Sequence, residues 1–496
     1  MDNNKAAENS STAQFQVHEI GTVVAVRECI VRVKGLPSCI NGQIVEFERG
    51  GRGMVLGFSE KEVQVLLLNT KAALHVGDQV MSKGEFLCLP VGDAFLGRIV
   101  NALCEPVDSL DSLGPIPASD MFPVFSEAPG VMDRAPVKET LETGTLLLDA
   151  VIPIAKGQRQ LLIGDRMTGK TTVAIDAIIN QKPRDVICIY CCIGKPNSSL
   201  LKLLNIFSEK EVMPYTIVVS AVASVSMGEQ YLAPYTAAML GEYFMRKGKD
   251  VLLIHDDLTK HAWVYRQISL LLDRAPGREA YPGDIFYTHS QLMERAGYFN
   301  EAMGGGSMTF LPIVEILQGD VTGYVASNLI SMTDGQIYFS TALFNKGVRP
   351  AIDFGLSVSR IGNKAQWPAM KALSGQMRLE YIQYQELLQM TQLRTTGLSK
   401  EAEDRMKHGQ AITQLLIQDK NKPLSMEVEI MYLFALSMGV LDTLSPADIK
   451  KYKDNFAVLV EREFPEIYTE IRQTMVLNDL AIEKLYEAMN HYFTAV

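Results

Sequence analysis

A phosphate-binding loop signature constrains the fold of this chain more than any other feature. Residues 164–171 read Gly-Asp-Arg-Met-Thr-Gly-Lys-Thr, which fits the pattern G-x-x-x-x-G-K-[ST]. The largely apolar run 160–163 precedes the loop, and an alanine- and isoleucine-rich stretch over residues 170–180 follows it. A strand, a glycine-rich loop and a helix start in this order predict a parallel α/β sheet that binds a nucleoside triphosphate.

Each residue type in the loop has a mechanical role. Successive backbone N–H groups and the helix N-terminus attract phosphate, Lys170 can reach the outer phosphates, and Thr171 can ligate magnesium. The predicted nucleotide-binding residues are Gly164, Asp165, Arg166, Met167, Thr168, Gly169, Lys170, Thr171 and Thr172. A coincidental surface turn is the alternative, and the flanking strand and helix argue against it.

Length, hydropathy and charge exclude several classes of protein. A chain of 496 residues is too long for one core and favours roughly two to four domains. The longest uncharged stretch, residues 212–228, is broken by a proline and serines, whereas a membrane helix needs ~18 or more largely apolar residues. A net charge of −10, without basic segments interleaved with aromatics, argues against nucleic acid as a ligand. We expect membrane contact only through partners.

The cysteines and the N-terminus indicate a reducing compartment. Seven cysteines, an odd number without paired C-x-x-C spacing, are interpreted as reduced core residues and not as disulfides or a zinc site. Residues 1–16 are polar and lack the features of a signal or transit peptide, so we expect a flexible cytosolic tail.

Three further segments are expected after that tail. Short β-rich runs separated by glycine and proline predict a small antiparallel β-barrel over residues 17–85. Alternating strands and helices predict a P-loop nucleotide domain of the RecA-like type over residues 86–364, entered through a long surface connection at 105–136. Helical periodicity predicts a helical domain over residues 365–496, in which Ser445 is expected to cap a helix. The expected fold class is therefore multidomain α/β.

A second strand is expected to complete the nucleotide site. The apolar run 251–254 leads into His255 and Asp256, and a carboxylate in this place commonly holds magnesium, directly or through water. Asp257 is the other candidate, and capping of the next helix is the alternative role for Asp256.

The group that would activate a water molecule is missing from its expected place. Hydrolysis requires a carboxylate or amide that orients the attacking water, commonly just past a neighbouring strand. Here the strand 186–193 is followed by Gly194 and Lys195, and a charged lysine cannot accept a proton. The sequence therefore favours a chain that holds nucleotide without efficient turnover, unless another acid folds into the site.

Several longer segments resemble the α subunit of the F-type ATP synthase. They are the phosphate-binding loop, residues 230–235 (QYLAPY), 276–284 (PGREAYPGD), 333–336 (TDGQ), 346–351 (KGVRPA) and 355–360 (GLSVSR). The resemblance runs from about residue 17 to the C-terminus.

The resemblance implies a barrel, nucleotide and helical domain order and a defined set of partners. It implies that the chain binds ATP or ADP with Mg²⁺ without catalysis, alternates with catalytic β-type subunits in a hexamer and surrounds a γ-type central stalk. By the same resemblance Arg360 reaches into the neighbour's catalytic site, and Arg349, Pro350 and Gln418 lie at the adenine end. An internal ion pair is the alternative for Arg360, and a turn with a solvated arginine is the alternative for Arg349. The implied location is peripheral, at the cytoplasmic face of a membrane.

Departures from the family pattern fall near the nucleotide. Met167 and Lys195 stand where the family usually carries glutamine, and Lys420 replaces the second of two glutamines near the adenine. These positions bear on nucleotide affinity and preference. The family's amphipathic N-terminal segment has no clear counterpart in residues 1–16, so the peripheral-stalk contact stays open.

Other functions remain as alternatives at this level. One is a self-sufficient hexameric P-loop ATPase, and another is a Rho-like RNA translocase, which the acidic charge opposes. A third is a structural paralogue that binds no nucleotide. The sequence leaves open whether the coupling ion of the complex is a proton or sodium, and whether it works towards synthesis or hydrolysis.

Overall fold

The computed structural model describes residues 18–70, 72–108, 116–393 and 399–495. The expected tail, residues 1–16, lies outside this range. The chain divides into two compact units, one built mainly from residues up to 88 and one from most of the remaining chain.

The smaller unit contains a closed antiparallel barrel. Its strands are β1 (Glu19–Arg27), β2 (Ile30–Lys34), β3 (Gln43–Phe47), β4 (Gly51–Phe58), β5 (Val63–Thr70) and β6 (Gln79–Phe86). They close in the order β1-β2-β5-β4-β3-β6. Side chains such as Val31, Val55 and Val65 alternate inward and are fully buried. The expected barrel is confirmed.

The larger unit contains a sheet that is parallel except at β16 and β19. The remaining strands of the chain are β7 (Cys88–Val91), β8 (Ile99–Val100), β9 (Asp120–Pro123), β10 (Thr140–Leu141), β11 (Ile154–Ala155), β12 (Leu161–Gly164), β13 (Val186–Ile193), β14 (Thr216–Ala221), β15 (Asp250–Asp256), β16 (Gly297–Tyr298), β17 (Ser307–Glu315), β18 (Gly335–Phe339) and β19 (Val358–Ser359). The sheet order is β19-β18-β12-β17-β15-β13-β14-β8. The carboxyl ends of β12, β17, β15 and β13 therefore lie side by side, which is where ligands bind in such sheets.

Strand β17 was missed by the sequence analysis. It lies between β12 and β15 in the sheet, with Gly164 opposite Glu315 and His255 opposite Pro312. Its residues 307–314 are buried, but a proline in a strand pattern argues against a central strand. The miss matters because β17 ends in a carboxylate, Glu315, beside the phosphate-binding loop.

Helices cover the sheet and then form the C-terminal region. They are α1 (Leu146–Val151), α2 (Lys170–Ile179), α3 (Asn197–Glu209), α4 (Met227–Arg246), α5 (Leu258–Leu271), α6 (Ile285–Met293), α7 (Tyr324–Met332), α8 (Thr341–Asn345), α9 (Pro368–Ser374), α10 (Met377–Leu393), α11 (Lys400–Leu416), α12 (Met426–Ser437), α13 (Pro446–Glu463), α14 (Pro465–Thr474) and α15 (Asp479–Ala495). Helix α13 begins as expected, because the Ser445 hydroxyl accepts a hydrogen bond from the Asp448 N–H at 3.3 Å. The helical C-terminal domain is confirmed.

The segment expected as a surface connection is more ordered than its composition indicated. Within residues 105–136, strand β9 pairs with β7, and the side chain of Val124 is fully buried. Residues 109–115 of this segment lie outside the described range. No helix in the described parts of the chain is long and apolar enough to cross a membrane. The seven cysteines are free thiols; all are buried except Cys88, which is exposed and so is not a core residue.

Candidate nucleotide site

The phosphate-binding loop joins β12 to α2 with the backbone that its glycines allow. Gly164 lies so close to β18 that an added Cβ would stand 2.5 Å from the Phe339 carbonyl oxygen. Gly169 takes φ 101°, a left-handed conformation that favours glycine, and forms the N-cap of α2. Among the residues that the structure describes, no side chain caps the first turn of α2. Its N–H groups can therefore serve an anion, as the motif requires.

Lys170 lies folded over the loop. Its ammonium donates to the carbonyl oxygens of Gly164 at 2.7 Å and Asp165 at 2.5 Å, and the residue is 6% exposed. Burial lowers the pKa of Lys170 to about 8, although the neighbouring carboxylates, Glu315 foremost, oppose this shift. The lysine therefore stays mainly protonated near neutral pH and lines the cavity as a cation.

Asp256 and Thr171 meet at the end of β15. The Thr171 hydroxyl donates to Asp256 Oδ2 at 2.8 Å, and the Tyr190 hydroxyl donates to the same oxygen at 2.6 Å. Burial raises the pKa of Tyr190, which keeps the hydroxyl protonated as a donor. Asp256 is 1% exposed and lines the cavity. Its other oxygen, Oδ1, is buried and has no hydrogen-bond partner within the described residues.

The two consecutive aspartates have different roles. Asp257 Oδ1 accepts a hydrogen bond from the Lys260 N–H at 2.8 Å, so Asp257 caps the start of α5. Asp257 is fully buried, and burial raises its pKa to about 6. Helix α5 is therefore capped by Asp257 and not by Asp256, whose carboxylate contacts the loop at Thr171.

Lys195 follows β13, and its side chain contacts both Asp256 and Thr171. Strand β13 pairs with β15 so that Cys192 lies opposite Asp256, which brings the residues after β13 to the end of β15. The Lys195 ammonium forms an ion pair with Asp256 Oδ2 and lies 3.1 Å from Thr171 Oγ1. Sequence reasoning identified this position as lacking an acid but did not predict these contacts.

Glu315 is a further acid at the cavity, and it was not predicted. It ends β17 beside the loop, and its side chain is 19% exposed. Arg166 Nε donates to its carboxylate at 2.8 Å. An apolar run that ends in a carboxylate, as in β15, is the signal that could have found it.

The opposite end of the cavity is built from α8, the segment after it and the C-terminal domain. The Arg349 guanidinium lies 4.9 Å from the centre of the Phe344 ring, a cation–π contact. The Gln418 N–H donates to the Arg349 carbonyl at 2.8 Å, and the Gln418 amide donates to the Gly144 carbonyl at 2.7 Å. These contacts hold the C-terminal segment against the nucleotide domain at the cavity wall.

One cavity of about 880 Å³ connects the two ends, a size suited to a nucleotide. Its wall includes most of the predicted site residues: Met167, Thr168, Gly169, Lys170, Thr171, Thr172, Asp256, Arg349, Pro350 and Gln418, together with Glu315, Phe344 and Lys420. Gly164, Asp165 and Arg166 belong to the same loop but do not line the cavity. The Asp165 carboxylate instead anchors the loop, because it accepts hydrogen bonds from the Gly319 N–H at 3.0 Å and the Thr341 hydroxyl at 2.7 Å.

Arg360 is separate from this cavity. Its N–H donates to the Asp334 carbonyl at 2.9 Å, and Asp334 is itself held by two side-chain hydrogen bonds from Arg159. The Arg360 residue is exposed, and within the described residues its guanidinium forms no hydrogen bond or ion pair. The alternative of an internal ion pair therefore finds no support.

Comparisons with known proteins cover nearly the whole chain. Residues 16–84 match the β-barrel domain of the ATP synthase alpha/beta family, residues 144–359 its nucleotide-binding domain, and residues 366–492 the C-terminal domain of its chains. The chain is 44% identical over 476 residues to the ATP synthase subunit alpha of Clostridium botulinum (strain Alaska E43 / Type E3), covering 96% of this chain and 94% of the relative. It is also 44% identical over 480 residues to the same subunit of Clostridium acetobutylicum, covering 97% and 94%. These findings confirm the resemblance drawn from the motifs, and the chain belongs to the ATP synthase alpha/beta family.

Proposed function

We propose that the chain is a nucleotide-holding, non-catalytic alpha-type subunit of a rotary ATP synthase or ATPase. It alternates with catalytic β-type subunits around a γ-type stalk and supplies Arg360 to their reaction. The observation that carries the proposal is the cavity itself: a phosphate-binding loop forms its floor, and the residue after β13 is Lys195. The alpha subunits among the relatives support the same reading.

The cavity has the groups that a nucleotide requires. The N–H groups of the loop and of the first turn of α2 would bind the phosphates, with Lys170 at the outer ones. The Phe344, Arg349 and Pro350 wall would enclose the adenine, and Gln418 would hold that wall in place. ATP or ADP is accordingly the proposed ligand.

Magnesium has two candidate ligands here. Thr171 Oγ1 and Asp256 Oδ2 are 2.8 Å apart. Adjacent oxygens around an octahedral Mg²⁺ are about 2.9 Å apart, because each lies about 2.0–2.1 Å from the ion. The two donors therefore fit the ion in chemistry and spacing. When bound, Mg²⁺ would neutralise charge on the phosphate oxygens.

Weak or absent hydrolysis follows from the same residues. A general base must accept a proton from water, and the Lys195 ammonium cannot. Besides Asp256, which pairs with Lys195, the described acid that ends a strand at the cavity is Glu315, and Arg166 donates a hydrogen bond to its carboxylate. This contact must break before that carboxylate oxygen can accept a hydrogen bond from an attacking water.

Arg360 is suited to act on a neighbouring subunit. Its backbone is fixed through Asp334 and Arg159, while its guanidinium is exposed. A guanidinium supplied across an interface can stabilise the charge that develops on a transferring phosphoryl group. Catalysis would then depend on closure of that interface.

Glu315 also favours one other function, a self-sufficient hexameric ATPase, because it places an acid at the cavity. The mass of the intact assembly separates the two proposals. We expect the chain, co-expressed with the catalytic subunit and the stalk subunit of its own source, to purify as a mixed assembly with equal numbers of the two large subunits. A hexamer of this chain alone that turns over ATP would contradict the first proposal. We place the assembly peripherally, at the cytoplasmic face of a membrane.

A further inference from the structure

The position expected for a metal ion is already in contact with a positive charge of the chain itself. The Lys195 ammonium pairs with Asp256 Oδ2 and lies 3.1 Å from Thr171 Oγ1. These are the two oxygens whose spacing suits Mg²⁺. A divalent ion that ligates both must displace the ammonium or share its place.

The surrounding groups hold the Lys195 side chain there. It is 16% exposed, and Asp256 is 1% exposed, so their ion pair is shielded from solvent. Asp256 Oδ2 is fixed by the hydroxyls of Thr171 and Tyr190, which orient the carboxylate towards the lysine. Within the described residues, Lys195 pairs with Asp256 and Lys260 pairs with Asp257; Lys260 lies 3.5 Å from Asp257 Oδ2 and forms no hydrogen bond with Thr171.

We propose that the Lys195 ammonium serves as a built-in cation in place of Mg²⁺, so that the chain binds ADP or ATP with little dependence on magnesium. The inference rests on the proposed nucleotide site. With Lys170, whose ammonium contacts the Gly164 carbonyl, two ammonium groups and a helix N-terminus would balance the phosphate charge. A lysine also carries its charge as a compact point, as a metal ion does, whereas glutamine carries none.

The test is the affinity of the purified full chain for ADP, measured by calorimetry with excess Mg²⁺ and again with EDTA. We expect the dissociation constant of the unmodified chain to change by less than about 3-fold between the two conditions, because the charge that the ion would supply is already present. The Lys195→Gln variant removes that charge, so that Thr171 and Asp256 are free to ligate Mg²⁺. For this variant we expect at least about 10-fold weaker binding in EDTA than in Mg²⁺.

Lys260→Gln is the matched control. It removes one lysine charge from the other aspartate, so its affinity should stay nearly independent of magnesium. Equal magnesium dependence of the unmodified chain and Lys195→Gln would overturn the proposal, as would the same gain of dependence in Lys260→Gln. If the unmodified chain binds ADP only with Mg²⁺, this inference fails and the proposed function stands. If it binds ADP in neither condition, both fail.

Discussion

Replacing Arg360 with alanine in the complete assembly should lower ATP turnover by about 10³-fold or more, because an arginine supplied across an interface contributes on the order of 10³ to 10⁵ to phosphoryl transfer. The structure supports a specific loss. The guanidinium is exposed and forms no hydrogen bond or ion pair within the described residues, so its removal breaks no internal contact. The backbone anchor through Asp334 remains in the variant. Turnover per assembly and the mass of the assembly should be measured together.

Two further variants show whether the loss belongs to this guanidinium. Arg360→Lys keeps the charge but loses the planar fork, so it should restore only part of the turnover. Arg52→Ala removes an exposed arginine from the barrel and should leave turnover unchanged. An Arg360→Ala assembly that retains turnover within about 3-fold of the original would exclude the proposed contribution to the neighbour.

The second large effect is expected at Lys170. Lys170→Gln should weaken ADP binding by about 100-fold, since a hydrogen bond to a charged group contributes about 1.5–3 kcal/mol and 1.4 kcal/mol corresponds to tenfold in affinity. The ammonium is buried over the loop, and within the part of the chain that the structure describes its hydrogen bonds go only to the Gly164 and Asp165 carbonyls. Equilibrium binding of ADP to the full chain measures the effect.

Lys182→Gln is the matched control for Lys170→Gln. Lys182 lies just after α2 and pairs on the surface with Glu211 at 2.6 Å, outside the cavity wall. Its replacement should leave ADP affinity unchanged, because an exposed ion pair contributes little. Unaltered affinity in Lys170→Gln would mean that the loop does not bind the phosphates in the proposed way.

The parts of the site that sequence reasoning predicted are those encoded locally. The loop pattern fixes strand, turn and helix within a dozen residues, and Gly169 takes the left-handed backbone that the turn requires. Asp256 follows from an apolar strand that ends in an acid. The order of the domains followed from the change of pattern along the chain and from the family motifs.

The parts that were missed depend on strand order and register. Strand β17 was not predicted because Pro312 within its apolar run argues against a central strand. The position of Glu315 beside Gly164 therefore was not predicted either. The contact of Lys195 with Thr171 and Asp256 exists only because β13 pairs with β15. The sequence alone shows that Lys195 cannot act as a general base, but it does not show which oxygen atoms the ammonium contacts. The capping role of Asp257 likewise required the start of α5.

A single-turnover measurement shows whether this chain holds ATP without cleaving it. Purified full chain, free of partner subunits, is mixed with a smaller amount of ATP labelled in the outer phosphate, with Mg²⁺ present, and the bound nucleotide is analysed over time. We expect the label to stay in ATP, since Lys195 stands where a base is needed and Arg166 donates a hydrogen bond to Glu315. Release of labelled phosphate by the chain alone, abolished by Glu315→Gln, would contradict it.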